Sequence, residues 1–201
     1  MHDTRSTTTS TALLAGLFDP GNNAVWREFD RRYRPILTAF ARRLGLTADD
    51  AAEAAQDTLA RFVEEYRAGK YERSRGRLRA WLIGMAKTRI AQMKRIRQRR
   101  RERRGASVLI QLADPAELER IWEEERKLAL LRQALLELRG QTRTSDKTLA
   151  AFEQYVLKRR PAKDVASDLG MTRQDVYMAK NRVAERLREI TARLEPYFDD
   201  E

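Results

Sequence analysis

Asp49, Asp50, Glu53, Gln56 and Asp57 recur at spacings of three and four, which lines them along one side of a helix that opens at Thr47. Carboxylates in a first helical turn complement the macrodipole. The same row can also serve as a docking face for a basic partner, and spacing alone leaves both readings open. At Arg67, twenty residues past Thr47, the charge reverses. Arg67 to Arg104 hold sixteen Lys and Arg against only Glu72 and Glu102, a net +14 in a chain whose total is +11. The other 163 residues therefore sum to −3, and the positive charge is a local device. Eight cations fall within the eleven residues Lys94 to Arg104. That far exceeds what a helix C-terminus needs, and such crowding is costly unless phosphates neutralise it. Lys87, Arg89, Lys94 and Arg95 are the candidate phosphate contacts. Tyr71, in a loop with Arg75 and Arg77 that leads to Arg79, could stack on an unpaired base. Trp81 could stack as well, but it shares the spacing of Leu78, Leu82 and Met85 and reads as core.

The elements that must carry these residues are helices. Trp26, Phe29, Tyr33, Ile36, Leu37, Phe40 and Leu44 form one apolar stripe, which Pro35 is expected to kink or restart near Arg34 and Gly45 to end. The helix from Thr47, with Asp50 at an approximate capping-box position, turns Ala51, Ala55, Leu59, Phe62, Val63 and Tyr66 inward. A third runs from about Leu78 past Arg97 over Leu78, Leu82, Met85, Ala86, Ile90 and Met93. Ala12 to Phe18 is too short for a secretory leader, has no suitable cleavage site after it, and reads as a short helix capped by Ser10 or Thr11.

A second module follows a break at Gly105 to Pro115. Ala116 to Leu138 is expected to be helical, burying Ile121, Leu128, Leu131, Leu135 and Leu138. Lys147 to Lys158 is expected to bury Leu149, Phe152 and Val156. Ala162 to Leu169, Gly170, then Thr172 with Asp175 three residues on, is a short helix, a left-handed turn and a capped longer helix, the pattern of a helix-turn-helix unit. The second helix of such a unit enters the major groove with its N-terminal part leading. Its exposed candidates are Arg173, Gln174, Tyr177, Met178, Lys180, Asn181 and Arg182, whose types can read guanine or adenine edges or contact phosphate.

Composition bounds the chemistry. Ala, Leu, Arg and Glu dominate, Gly and Pro are sparse, and the fold class is all-α. There is no cysteine, which excludes zinc fingers and thiol catalysis, and the single histidine, His2, stands beside the start, so a triad built on histidine is not expected. No metal site, phosphate loop or nucleophile-base pair is evident, so neither a cofactor nor enzymatic activity is expected. No apolar run approaches membrane-spanning length. Anionic lipid is the less favoured polyanion for the basic stretch, because the charge is interleaved with buried-type aromatics.

Taken together these stretches resemble a bacterial sigma factor of the extracytoplasmic-function class, in the sigma-70 family. The likeness covers about Trp26 to Leu194. Asp50-Ala-Ala-Glu-Ala-Ala-Gln-Asp57 resembles the family's acidic helix that docks on the beta-prime clamp helices of core RNA polymerase. Gly76 to Arg89 with the basic run resembles its promoter-melting helix, and Ala162 to Leu187 its helix-turn-helix that reads the minus-thirty-five element. The resemblance implies two small helical domains. Residues 1–104 would bind polymerase and recognise the minus-ten element, 105–116 would be a linker, and 117–201 would be the helix-turn-helix domain. It assigns Asp49, Asp50, Glu53, Gln56 and Asp57 to polymerase. Tyr71, Arg75, Arg77, Arg79, Lys87, Thr88, Arg89, Gln92, Lys94 and Arg95 go to minus-ten DNA. Residues 173, 174, 177, 178 and 180–182 go to minus-thirty-five DNA. Its partners would be core polymerase (clamp helices and beta flap), promoter DNA and an anti-sigma protein, in the cytoplasm and away from membranes. No further sensor domain is expected after the helix-turn-helix. Thr88 and Gln92 depart from the Asn and Asp common in the family, and Ala54-Ala55 from its Leu-Val. The rival readings are a helix-turn-helix regulator that works without docking on polymerase, and an RNA-binding protein.

Overall fold

A computed structural model describes residues 10–71, 77–102, 114–140 and 144–198; the side chains of residues 10, 11 and 100–102 are not described. Eight α-helices account for most of these residues, and no strand occurs among them. They are α1 (Ser10–Gly16), α2 (Asn23–Arg43), α3 (Ala48–Arg67), α4 (Leu78–Glu102), α5 (Pro115–Arg139), α6 (Asp146–Phe152), α7 (Ala162–Leu169) and α8 (Arg173–Phe198). The chain divides into two compact bodies, Met1–Ala129 with Tyr197–Glu201, and Leu130–Pro196. The division falls inside α5, C-terminal to the linker read at 105–116, most of which (residues 105–113) lies outside the described residues.

In the first body α2, α3 and α4 pack around an aromatic and aliphatic core. Asn22 caps α2 by accepting from the Val25 amide. The helix closes in a left-handed turn at Gly45 (φ 91°), where the Leu46 amide reaches the Ala41 carbonyl and the Gly45 amide that of Arg42. Pro35 does not restart the helix, which runs unbroken through it. The ring is exposed, so the carbonyl left without its amide partner lies on the side of the helix that water reaches. Phe62 sits at the centre of the core, fully buried, stacked on Phe29 at 5.0 Å and edge-on to Trp81 at 5.3 Å. On α4 the expected stripe of Leu78, Leu82, Met85, Ala86, Ile90 and Met93 is buried.

Helix α5 buries a different stripe from the one its leucines suggest. Leu118, Ile121, Trp122, Ala129, Leu130, Ala134 and Leu138 are buried, while Leu128 and Leu131 are exposed and Leu135 is half-buried. Apolar residues lie on most sides of this helix, so periodicity alone does not choose the inner one. Within the first body the choice rests on Trp122, fully buried and edge-on to Phe40 at 5.9 Å, and on Glu125, buried beside Arg43 at 3.3 Å.

In the second body α6 ends in one wider π-type turn, Glu153–Leu157. Phe152 is buried as expected, Leu149 and Val156 only half so, and Ala151 is fully buried. Ala151, Ala162, Val165, Ala166, Val176 and Ala179 make a core of mostly small side chains, which lets α6, α7 and the start of α8 approach closely.

Candidate nucleic-acid and protein interface

Helix α3 begins where expected, with Thr47 accepting the Asp50 amide at 3.4 Å. The capping box stays half-formed, because the Asp50 carboxylate turns to Arg97 of α4. Arg97 Nη2 also donates to Thr47 Oγ1 at 3.0 Å. One turn further, a single nitrogen of Arg89, Nη2, bridges Glu53 Oε1 at 2.8 Å and Asp57 Oδ2 at 2.6 Å. Three of the five residues assigned to polymerase thus form ion pairs with α4. Asp49 and Gln56 are exposed, and their side chains make no ion pair or hydrogen bond among the described residues. Beyond Asp57 a shallow groove of about 580 Å³ continues along α3, floored by Ala60 and Ala68 and walled by Arg61, Glu64, Glu65, Lys70 and Arg89.

The cations of α4 separate into two faces. Thr88, Gln92, Arg95 and Arg99 recur at three and four residues and are exposed, with Gly84 at the head of the row. Lys87 and Lys94 flank this strip and are half-buried. Lys87, Lys94 and Arg95 make no ion pair among the described residues, so their charge is available to a polyanion. Arg89 and Arg97 belong to the other face. Arg97 was not among the residues singled out from sequence. Its signal was its phase, since Leu82, Ala86, Arg89, Met93 and Arg97 follow one another at three and four residues, the spacing of the side that packs on α3.

Arg79 is likewise engaged, with its Nε 3.2 Å from Glu119 on α5. Glu123, the other carboxylate near it, is held below the ordinary value by a hydrogen bond from Arg126, which outweighs the cost of its burial. Arg77 is exposed, and Arg75 lies outside the described residues. Trp81, expected in the core, is half-buried, because Tyr71 covers it as a stacked partner at 5.0 Å and 17°. Tyr71 is half-buried at the mouth of the loop. Burial, and secondarily Tyr71, raise the Tyr66 phenol above its ordinary value.

The helix-turn-helix is closed locally. Gly170 takes the left-handed conformation at φ 56°, and the Met171 amide reaches the Ala166 carbonyl at 2.8 Å. The capping box of α8 is complete, with Thr172 Oγ1 accepting the Asp175 amide at 3.1 Å and Asp175 Oδ2 accepting the Thr172 amide at 2.9 Å. Arg173, Gln174, Tyr177, Met178, Lys180, Asn181 and Arg182 are all exposed on this helix, and Tyr177 leans edge-on against Tyr155 at 5.7 Å. The reciprocal bonds fix the start of α8 and with it the direction in which these side chains leave the helix.

No helix among the described residues is long and apolar enough to cross a membrane. In comparison with known proteins, the family described as Sigma-70 region 2 matches residues 29–102, which span α2 from Phe29 through α3 and α4. No curated protein matches the chain.

Proposed function

We infer, from the premise that this chain belongs to the sigma-70 family through the region 2 at residues 29–102, that it is a sigma factor of the extracytoplasmic-function type. In this reading it binds core RNA polymerase in the cytoplasm and directs it to promoters. Region 2 docks on a cationic surface of the clamp through α3, with Asp49 and Gln56 leading and Glu53 and Asp57 beside them. The free strip of α4 (Thr88, Gln92, Arg95) with Lys87 and Lys94 runs along minus-ten DNA. An unstacked base is received near Tyr71, where stacking offsets the few kcal/mol that unpairing costs. Residues 117–201 act as the minus-thirty-five reader through Arg173, Gln174, Tyr177, Met178, Lys180, Asn181 and Arg182, and the polymerase flap is the surface this part would meet. An anti-sigma protein is a further expected partner.

The observation that carries this reading is a small helical body whose exposed polar side chains on α3 (Asp49, Gln56) and cations on α4 (Lys87, Lys94, Arg95) have no partner among the described residues. Run-off transcription with core polymerase on a genomic library tests it and reports the promoter sequence as well. Asp49→Lys with Gln56→Lys is expected to weaken core binding about tenfold or more. Circular dichroism is expected to stay unchanged, because neither side chain holds the fold. Unchanged pull-down would remove α3 as the docking face. Tight binding of a duplex operator with no response to polymerase would favour the regulator reading instead.

A further inference from the structure

Arg89 is tied to the carboxylates that the docking reading hands to polymerase, while it sits on the helix that the same reading hands to DNA. Its pairing is incomplete. Nη2 serves both Glu53 and Asp57, and the Nε, buried, has no hydrogen-bond partner among the described residues. The carboxylates are about half exposed, at 58% for Glu53 and 47% for Asp57, so a partner can reach them from solvent. A pair this exposed is weak enough to be exchanged.

We propose that Arg89 is an exchangeable cation. In the free chain Glu53 and Asp57 hold it. When a cationic partner surface takes those two carboxylates, Arg89 is released to a nucleic-acid phosphate, so that docking and DNA binding strengthen one another through this side chain. The proposal rests on the function inferred above. Linkage makes the effect reciprocal: the factor by which an occupied acidic pair raises the affinity of Arg89 for phosphate equals the factor by which bound phosphate raises the affinity of the acidic pair for its partner. Arg97 differs. It is tied to Asp50 and to the cap hydroxyl of Thr47 together, and it stays with the helix start as a structural clasp.

The test uses the full chain without polymerase and a fluorescent 20-nucleotide single strand of mixed sequence, read by anisotropy. Glu53→Gln with Asp57→Asn mimics an occupied acidic pair. It is expected to tighten binding by roughly tenfold, within the usual range of coupling between sites. The salt dependence should steepen by about 0.7 in log–log slope, one extra phosphate contact. Glu64→Gln with Glu117→Gln removes the same charge from two exposed carboxylates that hold no cation among the described residues, and should give only a small gain. Arg89→Gln added to the first pair should cancel its advantage over this control. In the unsubstituted chain, the Arg89 Nε–H resonance followed by NMR should shift on adding an octa-arginine peptide, a readout that does not depend on any variant folding. An equal gain in both charge-neutralised pairs, a gain that survives Arg89→Gln, or a resonance indifferent to the peptide would overturn the exchange while leaving the sigma-factor reading intact. A chain that binds no strand in any form sinks both.

Discussion

Thr172 and Asp175 hold the first turn of α8 by reciprocal hydrogen bonds, and the pair makes the helix-turn-helix acid-sensitive. The Thr172 hydroxyl first, and then its backbone amide, donate to the Asp175 carboxylate and lower its pKa from an ordinary value near 3.8. The ionised form is thus favoured in the folded state. Its contribution is fully present above that ordinary value and is lost as pH falls through the lower, folded one. Asp175→Asn is expected to melt earlier than the parent near neutral pH and to converge with it in strong acid. Thermal melts by circular dichroism across that range check this, and a gap that persists at low pH would assign the effect to packing. Arg97 and Arg79 show that a basic side chain on α4 is not thereby free: each is aimed by its phase at a neighbouring helix and is held by a carboxylate there.

Among the elements, α4 and the α7–α8 turn make opposite demands on glycine. Gly84 lies within α4 on the exposed side, and a methyl group there meets nothing within 4 Å. Gly84→Ala is expected to stabilise the protein by about 0.5–1 kcal/mol, since it lowers the entropy of the unfolded chain without strain. Gly170 also has open space, but its φ of 56° is one that Ala adopts only at a cost of about 1–2 kcal/mol. Gly170→Ala should destabilise and loosen the helix-turn-helix. Denaturant titrations of the two variants should shift in opposite directions, and a shift of the same sign for both would contradict the geometry. The elements themselves were largely legible in the sequence. Thr47, Gly45, Gly170 and Thr172 mark boundaries by local hydrogen bonding, which needs no tertiary partner. Pro35 left a kink or a restart open; that the helix is not interrupted there depends on the orphaned carbonyl meeting water, and so on which side of α2 is packed.

For the whole molecule, the localised charge predicts how binding responds to salt. With Lys87, Lys94, Arg95 and Arg99 each neutralising one phosphate of duplex DNA, affinity should fall roughly a hundredfold between 50 and 200 mM salt. Anisotropy titrations of the full chain on a promoter duplex with core polymerase present would measure the slope. A dependence near zero would mean that these cations do not meet the backbone. The all-α class, the positions of most helices, the confinement of positive charge to residues 67–104 and the helix-turn-helix signature can be read from the order of amino acids. Each follows from periodicity, local capping or composition, which are properties of short stretches of chain. Which carboxylates of α3 are paired, which arginines of α4 remain available, and which side of α5 is buried emerge once the helices have packed. Those outcomes depend on which groups from distant stretches meet, and a charge or a leucine on one helix carries no record of the neighbour that will be packed against it.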